Sequence, residues 1–452
     1  MPTPPLASGP DGPGALRPLL GTVLDALAAG GRARGGPLPA GGPRAVTARM
    51  RDALGDVLPD EGDPDALRVL VQALAEGAAD PADPLCAGHL HGPPLALAAA
   101  ADLAAGVLNP SLDSWDQAPA ASALESLVTR ALAAETGAAD CLVTTGGTES
   151  NLLAVLLARE AHGGTVQLVT GTGAHHSLTR AAWLLGLPAP VTVPAPAGTL
   201  DPAALDEALA RLAGPVLVAA TAGTTDAGLI DPLPAIAALC RAHGARLHVD
   251  AAYGGGLLFS RRHRHRLDGL DAADTVTLDL HKLGWQPIAA GLLTVRDGHD
   301  LAGLHQRADY LNAPDDTDAG LPDLLGRSLR TTRRPDILKI AVTLRGLGRN
   351  GLGALVDQVC ERAEELAGLI AAHPGFELYD RPTISTVLFR PAGATDDAVA
   401  AVRRDLLGQG RAVLGRARLN GRLWLKATLL NPRTRPADLA ALLTLVEGHT
   451  PR

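Results

Sequence analysis

The chain has 452 residues, a formal net charge of −8 and only ten aromatic side chains. Its hydrophobic fraction of 46% and charged fraction of 19% are those of a globular protein with an aliphatic core, not of a disordered chain. The one dense basic run, residues 261–266, is too short for a nucleic-acid face and reads as a solvated loop. Four cysteines with no CxxC pair argue against a disulfide framework or a zinc site and predict a reducing cytoplasm. The N-terminus lacks the pattern of a signal peptide, and the most apolar stretch, residues 95–108, is too short to span a bilayer and carries Asp102. No nucleic-acid or membrane partner and no metal site are expected.

The first 44 residues hold nine Pro and ten Gly, with a short helix predicted over 16–27 and mobile flanks. Residues 45–80 read as helical, with Met50, Leu54 and Leu58 at helical spacing. From about residue 93, helices alternate with short apolar strands. Helices are predicted over 120–135, 148–160, 177–185 and 233–243, and strands over 141–144, 166–169, 216–220, 246–249 and 275–278. This alternation predicts an α/β domain with a mainly parallel sheet, over 93–346, with ligands bound beyond the carboxyl ends of its strands. Residues 312–323 read as an exposed polar loop. From 347 a long helix through 366, strands at 386–389 and 423–426, and a helix from Pro436 predict a smaller α+β domain, 347–452.

Polar clusters sit at those strand ends. Asp250 closes one strand and precedes Ala251 and Ala252; it can pair with a protonated ring nitrogen, although an Asp there commonly just caps a turn. Lys282 follows 32 residues later, after the next strand. Lysine is rare in this chain, which otherwise uses Arg; the others are Lys339 and Lys426. An amine kept at this point can form a Schiff base, which Arg cannot. The segment 144–151, between a strand and a helix, offers an anion site at a helix N-terminus, or an ordinary Gly turn. His175 can stack on a flat ring or move a proton, or can be an ordinary half-buried His. Gly223 to Asp226 adds hydroxyls that either contact a ring substituent or cap a turn. Each signal alone is modest. Their order along the strand ends suits one ligand, pyridoxal 5′-phosphate held by a lysine as an imine.

These segments resemble a known family. TTGGTESNLLAVLLAR (144–159), AHHSLTRAA (174–182), AGTTDAGLIDPL (222–233), LHVDAAYGG (247–255) and DLHKLGWQP (279–287) look like the group II pyridoxal-phosphate-dependent amino-acid decarboxylases. That group includes the aromatic-amino-acid, glutamate and L-2,4-diaminobutyrate enzymes. SLRTTRRPDILK (328–339) and GRARLNGRLWLKATLLNP (415–432) extend the match, so that it runs from about residue 80 to the end.

The resemblance implies fold type I, the aspartate-aminotransferase-like fold, and amino-acid decarboxylation to an amine and CO2. It implies a homodimer with the pocket at the interface, completed by the N-terminal segment 1–92. Lys282 would carry the cofactor, Asp250 would pair with the pyridinium nitrogen and His175 would stack on the ring. Gly147 and Thr148 would hold the phosphate, Thr225 and Ala252 would line the cofactor, and His281 precedes the lysine as in the family. Relatives often carry Asn where Asp279 stands, and an Asp beside a phosphate is electrostatically poor. The stretches 89–94 and 111–119, with His89 and Asp113 as substrate contacts, look most like the diaminobutyrate-type members. A carboxylate at Asp113, where aromatic-substrate relatives are apolar, would pair with a substrate ammonium in the neighbouring subunit's pocket. The expected substrate is a diamino acid such as L-2,4-diaminobutyrate, ornithine or lysine, and the expected setting is amino-acid (carboxylic acid) metabolism. The alternatives are an aromatic-amino-acid decarboxylase or an aldehyde-forming relative, then an aminotransferase, then a cofactor-free scaffold. Aromatic-substrate relatives carry a loop tyrosine that protonates the product carbanion. An apolar residue near Leu324 takes that place here, which leaves His175 as the first proton donor to consider and Tyr310 as the second.

Overall fold

The computed structural model describes residues 4–450. The chain divides into two compact units. A central unit comprises residues 90–361 and 382–386. A terminal unit gathers the residues up to His89, Arg362–Arg381 and those from Val387 onward. The N-terminal helices therefore group with the C-terminal residues instead of standing as a separate segment.

Three helices open the terminal unit: α1 (Gly12–Arg34), α2 (Gly42–Leu54) and α3 (Ala66–Gly77). α1 is longer than the helix predicted over 16–27 and runs through Pro18. The single helical stretch predicted over 45–80 is two helices, because Gly55, Pro59, Gly62 and Pro64 interrupt it. α1 packs closely on α3 at Gly30, where a Cβ would lie 2.4 Å from the Gln72 carbonyl oxygen.

The central unit begins with α4 (Ala96–Leu108) and α5 (Pro119–Glu135). The α/β alternation follows: β1 (Asp140–Thr144), α6 (Gly147–Ala161), β2 (Gln167–Gly171), α7 (His176–Leu184), β3 (Val191–Val193), α8 (Pro202–Ala210), β4 (Val216–Thr221), α9 (Leu233–His243), β5 (Arg246–Ala251), β6 (Thr275–Asp279) and β7 (Gly291–Val295). The seven strands form one sheet in the order β1-β7-β6-β5-β4-β2-β3. Strands β3, β2, β4, β5 and β6 run parallel, and β7 is antiparallel to both neighbours. The sheet is thus mainly parallel, as the alternation predicts. β3, α8 and β7 went unpredicted. Aliphatic side chains of the strands, among them Leu142, Leu168, Leu217 and Leu293, form fully buried cores with α6 and α7.

Two short helices, α10 (Asp309–Asn312) and α11 (Pro314–Asp318), occupy the stretch read as a polar loop. The long helix α12 (Ile337–Ala372) begins ten residues before the expected domain boundary at 347 and crosses it. Gly348 takes a left-handed φ of 61° and kinks this helix without ending it. The terminal unit closes with β8 (Phe376–Leu378), β9 (Thr386–Pro391), α13 (Asp396–Gly408), β10 (Gly415–Leu419), β11 (Arg422–Thr428) and α14 (Pro436–His449). Its four strands form a sheet in the order β10-β11-β9-β8. Val387, Phe389, Val399, Leu425 and Val446 lie in its core. Among the described residues no helix is long and apolar enough to cross a membrane.

Candidate active site

The carboxyl ends of β1, β4, β5 and β6 converge on a cavity of about 330 Å³ in the central unit. The parallel register explains the convergence. Asp250 lies opposite Thr221 on one side and Thr277 on the other, so each strand delivers its last residues at one level. Gly147, Thr148, His175, Thr225, Asp250, Ala252, His281 and Lys282 all line this cavity. Thr145, Gly146, Asn151, Tyr253 and Asp279 line it as well.

After β1 the chain turns through Gly146 into α6. A Cβ on Gly147 would sit 3.0 Å from the Ala252 Cβ and 3.3 Å from Asp279 Oδ2, so only glycine lets this helix end approach β5 and β6 so closely. Gly291 on β7 is tighter still: its Cβ would lie 2.4 Å from Gly146 Cα. Glu149 folds back onto the turn, accepting from the Thr145 backbone N–H at 2.6 Å and from its hydroxyl at 2.7 Å. The first N–H groups of α6 have no acceptor within the helix, an arrangement that suits an anion.

Asp250 is buried and does two things at once. Its Oδ1 accepts from the Ala252 N–H at 3.1 Å, capping the turn, and its Oδ2 accepts from Asn151 Nδ2 at 2.8 Å. His175 is the N-cap of α7; its Nδ1 accepts from the Ser177 N–H at 3.3 Å and stands 2.8 Å from Ser177 Oγ. Burial holds the His175 imidazole below its ordinary value, against the opposing pull of Asp250, so the ring is neutral at pH 7. Lys282 Nζ lies 3.2 Å from Asp279 Oδ2, and His281 Nε2 lies 3.4 Å from the same oxygen. Burial pushes the Asp279 carboxyl up, while Lys282, His281 and the Gly147 N–H pull it back. Asp279 Oδ1 and His281 Nδ1 are buried and have no hydrogen-bond partners among the described residues.

This donor set fits pyridoxal phosphate. Asp250 suits a protonated ring nitrogen, Ala252 and Gly147 leave room for a flat ring, the start of α6 suits the phosphate, and Lys282 supplies the amine. Asp279 is the dissonant member, a buried carboxylate beside an anion cradle. Lys282, 3.2 Å from its Oδ2, supplies the compensating positive charge.

Two expected substrate contacts, His89 and Asp113, are not among the residues that line this cavity. Asp113 is buried next to Leu112, and its Oδ1 has no hydrogen-bond partner among the described residues. His89 is the last residue of the first stretch of the terminal unit. Tyr310 is 82% exposed and lines a different cavity, with Leu156 and Leu311. Leu324 is buried with Leu112 and Ala118. Sequence reasoning assigned no role to Asn151, Ser177, His248 or Thr277. A signal was available: His248 and Asp250 are two apart on one strand and so share a face.

A family model described as the pyridoxal-dependent decarboxylase conserved domain matches residues 72–392. The chain is 41% identical over 388 residues to the L-2,4-diaminobutyrate decarboxylase of Rhizobium meliloti (strain 1021), covering 82% of this chain and 78% of the relative. It is 32% identical over 404 residues to that of Acinetobacter baumannii, covering 80% and 79%. Among solved structures, the glutamate decarboxylase domain of diaminobutyrate-pyruvate transaminase and L-2,4-diaminobutyrate decarboxylase from Vibrio parahaemolyticus superposes with a TM-score of 0.87 at 30% identity, over 99% of this chain and 97% of that one.

Proposed function

The chain belongs to the pyridoxal-dependent decarboxylase family, and on that premise we propose that it removes the α-carboxylate of L-2,4-diaminobutyrate, releasing CO2 and a C3 diamine. It is a pyridoxal-phosphate-dependent amino-acid decarboxylase. The observation that carries the substrate is the 41% identity, over 82% of the chain, to an L-2,4-diaminobutyrate decarboxylase. The buried, half-unpartnered carboxylate of Asp113 is the kind of group a substrate ammonium would satisfy.

Bound pyridoxal phosphate supplies an electron-withdrawing pyridinium that takes up the electron pair of the breaking Cα–carboxylate bond. Lys282, which lines the cavity, would hold it through its amine. Asp250, which accepts from Asn151 Nδ2 and the Ala252 N–H, would pair with the protonated ring nitrogen. Gly147 and Thr148 would receive the phosphate, and Thr225, Ala252 and His281 would line the rest of the cofactor site. The Nδ1 of His175 is occupied as an acceptor, so Nε2 is the atom that carries the proton. We assign to it the return of a proton to Cα, because Tyr310 in this chain lies outside the cavity.

Asp113 lies away from the Lys282 cavity of its own chain, so in this proposal it serves the cavity of a second copy, and the working form is a homodimer. Exposed Leu19, Leu24 and Leu27 on α1 support such an interface. His89, the residue before the cavity-lining Leu90, is kept as a substrate contact in this proposal. The four free thiols suit a cytoplasmic setting.

The test is a product assay for CO2, amine and aldehyde with L-2,4-diaminobutyrate, ornithine, lysine and tyrosine, with and without added pyridoxal phosphate. The highest kcat/KM should fall on diaminobutyrate. An aromatic amine or an aldehyde formed faster than the diamine would overturn the proposal.

A further inference from the structure

We infer that Asn151 is a positioning residue that orients the Asp250 carboxylate and sets the ring tautomer of His175 through one buried chain of hydrogen bonds. The inference rests on the assignment of Asp250 and His175 to the cofactor.

Asn151 is fully buried on the first turns of α6, and its amide makes four contacts. Nδ2 donates to Asp250 Oδ2 at 2.8 Å and to Ser177 Oγ at 2.9 Å. Oδ1 accepts from Thr277 Oγ1 at 2.8 Å and from His248 Nε2 at 3.0 Å. No donor or acceptor of this side chain is left over.

The direction of the whole chain follows from one charge. Asp250, when ionised, only accepts, so the NH2 of Asn151 must face it and the carbonyl must face β5 and β6. His248 must then donate from Nε2, which leaves its Nδ1 to accept from Thr275 Oγ1 at 2.9 Å. His248 is fully buried and neutral, as this pattern requires. On the other arm, Ser177 Oγ accepts from Asn151 and so directs its own proton to His175 Nδ1 at 2.8 Å. Nδ1 also receives the Ser177 N–H, so the neutral His175 ring carries its proton on Nε2, the nitrogen left for the cavity. A flipped amide would set its carbonyl against the Asp250 carboxylate and reverse every proton in the chain.

The experiment is nitrogen NMR of the full-length protein, labelled with 15N-histidine and loaded with pyridoxal phosphate, together with the dissociation constant of pyridoxal phosphate by absorbance. His175 and His248 should both show the neutral Nε2–H pattern. In Ser177→Ala the His175 pattern should change to a tautomer mixture while cofactor affinity moves less than threefold. In Asn151→Asp, which is isosteric, a second carboxyl meets Asp250; the His175 pattern should change and affinity should fall about tenfold to a hundredfold, the usual cost of losing a hydrogen bond to a charged group. Asn151→Ala should behave likewise, with its thermal transition checking the fold. A Nδ1–H pattern for His175 in the unaltered protein, or unchanged spectra and affinity in Asn151→Asp, would overturn the inference. Asp250→Ala separates the two levels. If it leaves affinity unchanged, the cofactor assignment falls and takes the Asp250 arm with it; if affinity collapses there but not in Asn151→Asp, only the role of Asn151 falls.

Discussion

Asp279 and Lys282 stand three residues apart at the end of β6 and meet, carboxylate to amine, at 3.2 Å. The turn after the strand makes this contact, since the Lys282 N–H donates to the Asp279 carbonyl at 3.2 Å. The carboxylate also stands against the start of α6, where a Gly147 Cβ would lie 3.3 Å from its Oδ2, beside the helix end that suits a phosphate. Asp279→Asn keeps the shape and removes the charge. We expect that variant to bind pyridoxal phosphate about tenfold more tightly, one unit of relieved like-charge repulsion in a partly screened site, measured by absorbance titration.

Lys282→Ala removes the only lysine lining the cavity. The visible imine absorbance should vanish and turnover should fall below detection, while the thermal transition stays cooperative. Normal turnover in this variant would remove the covalent role assigned to Lys282.

Asp113→Asn tests the substrate ammonium. A lost charge-assisted contact corresponds to about tenfold to a hundredfold in kcat/KM for diaminobutyrate, carried mainly by KM. Cofactor affinity should not change, because Asp113 lies outside the Lys282 cavity.

His248 gives a pH dependence of stability. Burial pushes its imidazole down to about 4 from 6.5. Between those values the unfolded chain binds a proton that the native state refuses. Stability is therefore complete above about pH 6.5 and is lost as pH falls toward 4, by on the order of 2–3 kcal/mol. Urea midpoints at pH 7 and pH 5 measure the loss, and His248→Gln should remove most of the difference.

Gly291→Ala tests the packing behind the phosphate cradle. The added methyl would lie 2.4 Å from Gly146 Cα and from Thr144 Oγ1, so backbone must move. We expect a loss of about 1–3 kcal/mol in urea unfolding, with a parallel loss of cofactor affinity because the Gly146 turn is displaced.

Much of this was legible in the sequence. The strands carrying Asp250 and Lys282, the helix after Gly147 and the His175 turn all stand within a few residues of their predicted places, because apolar runs and turn residues are local signals. β7 went unread, since an antiparallel strand inside a parallel sheet has no periodicity that announces it. The helix α12 begins at Ile337, before the start expected at 347, and Gly348 kinks it without ending it. The N-terminal helices grouped with the C-terminal residues instead of standing alone, because burial by a partner distant in sequence leaves no local mark.

By itself the sequence determined the donor set: an amine, a carboxylate, an imidazole and a helix N-terminus, each at a strand's carboxyl end. Residue chemistry and strand period are properties of short segments, so one chain of letters suffices for them. Only the tertiary structure decided how the protons are arranged among those donors. Asn151 touches Asp250, Ser177, His248 and Thr277, residues 26 to 126 positions away, and the direction of its amide exists only once β5, β6, α6 and α7 are packed together. It likewise decided that Asp113 stays outside the cavity of its own chain, because which surfaces a buried carboxylate faces depends on packing and not on its neighbours in sequence.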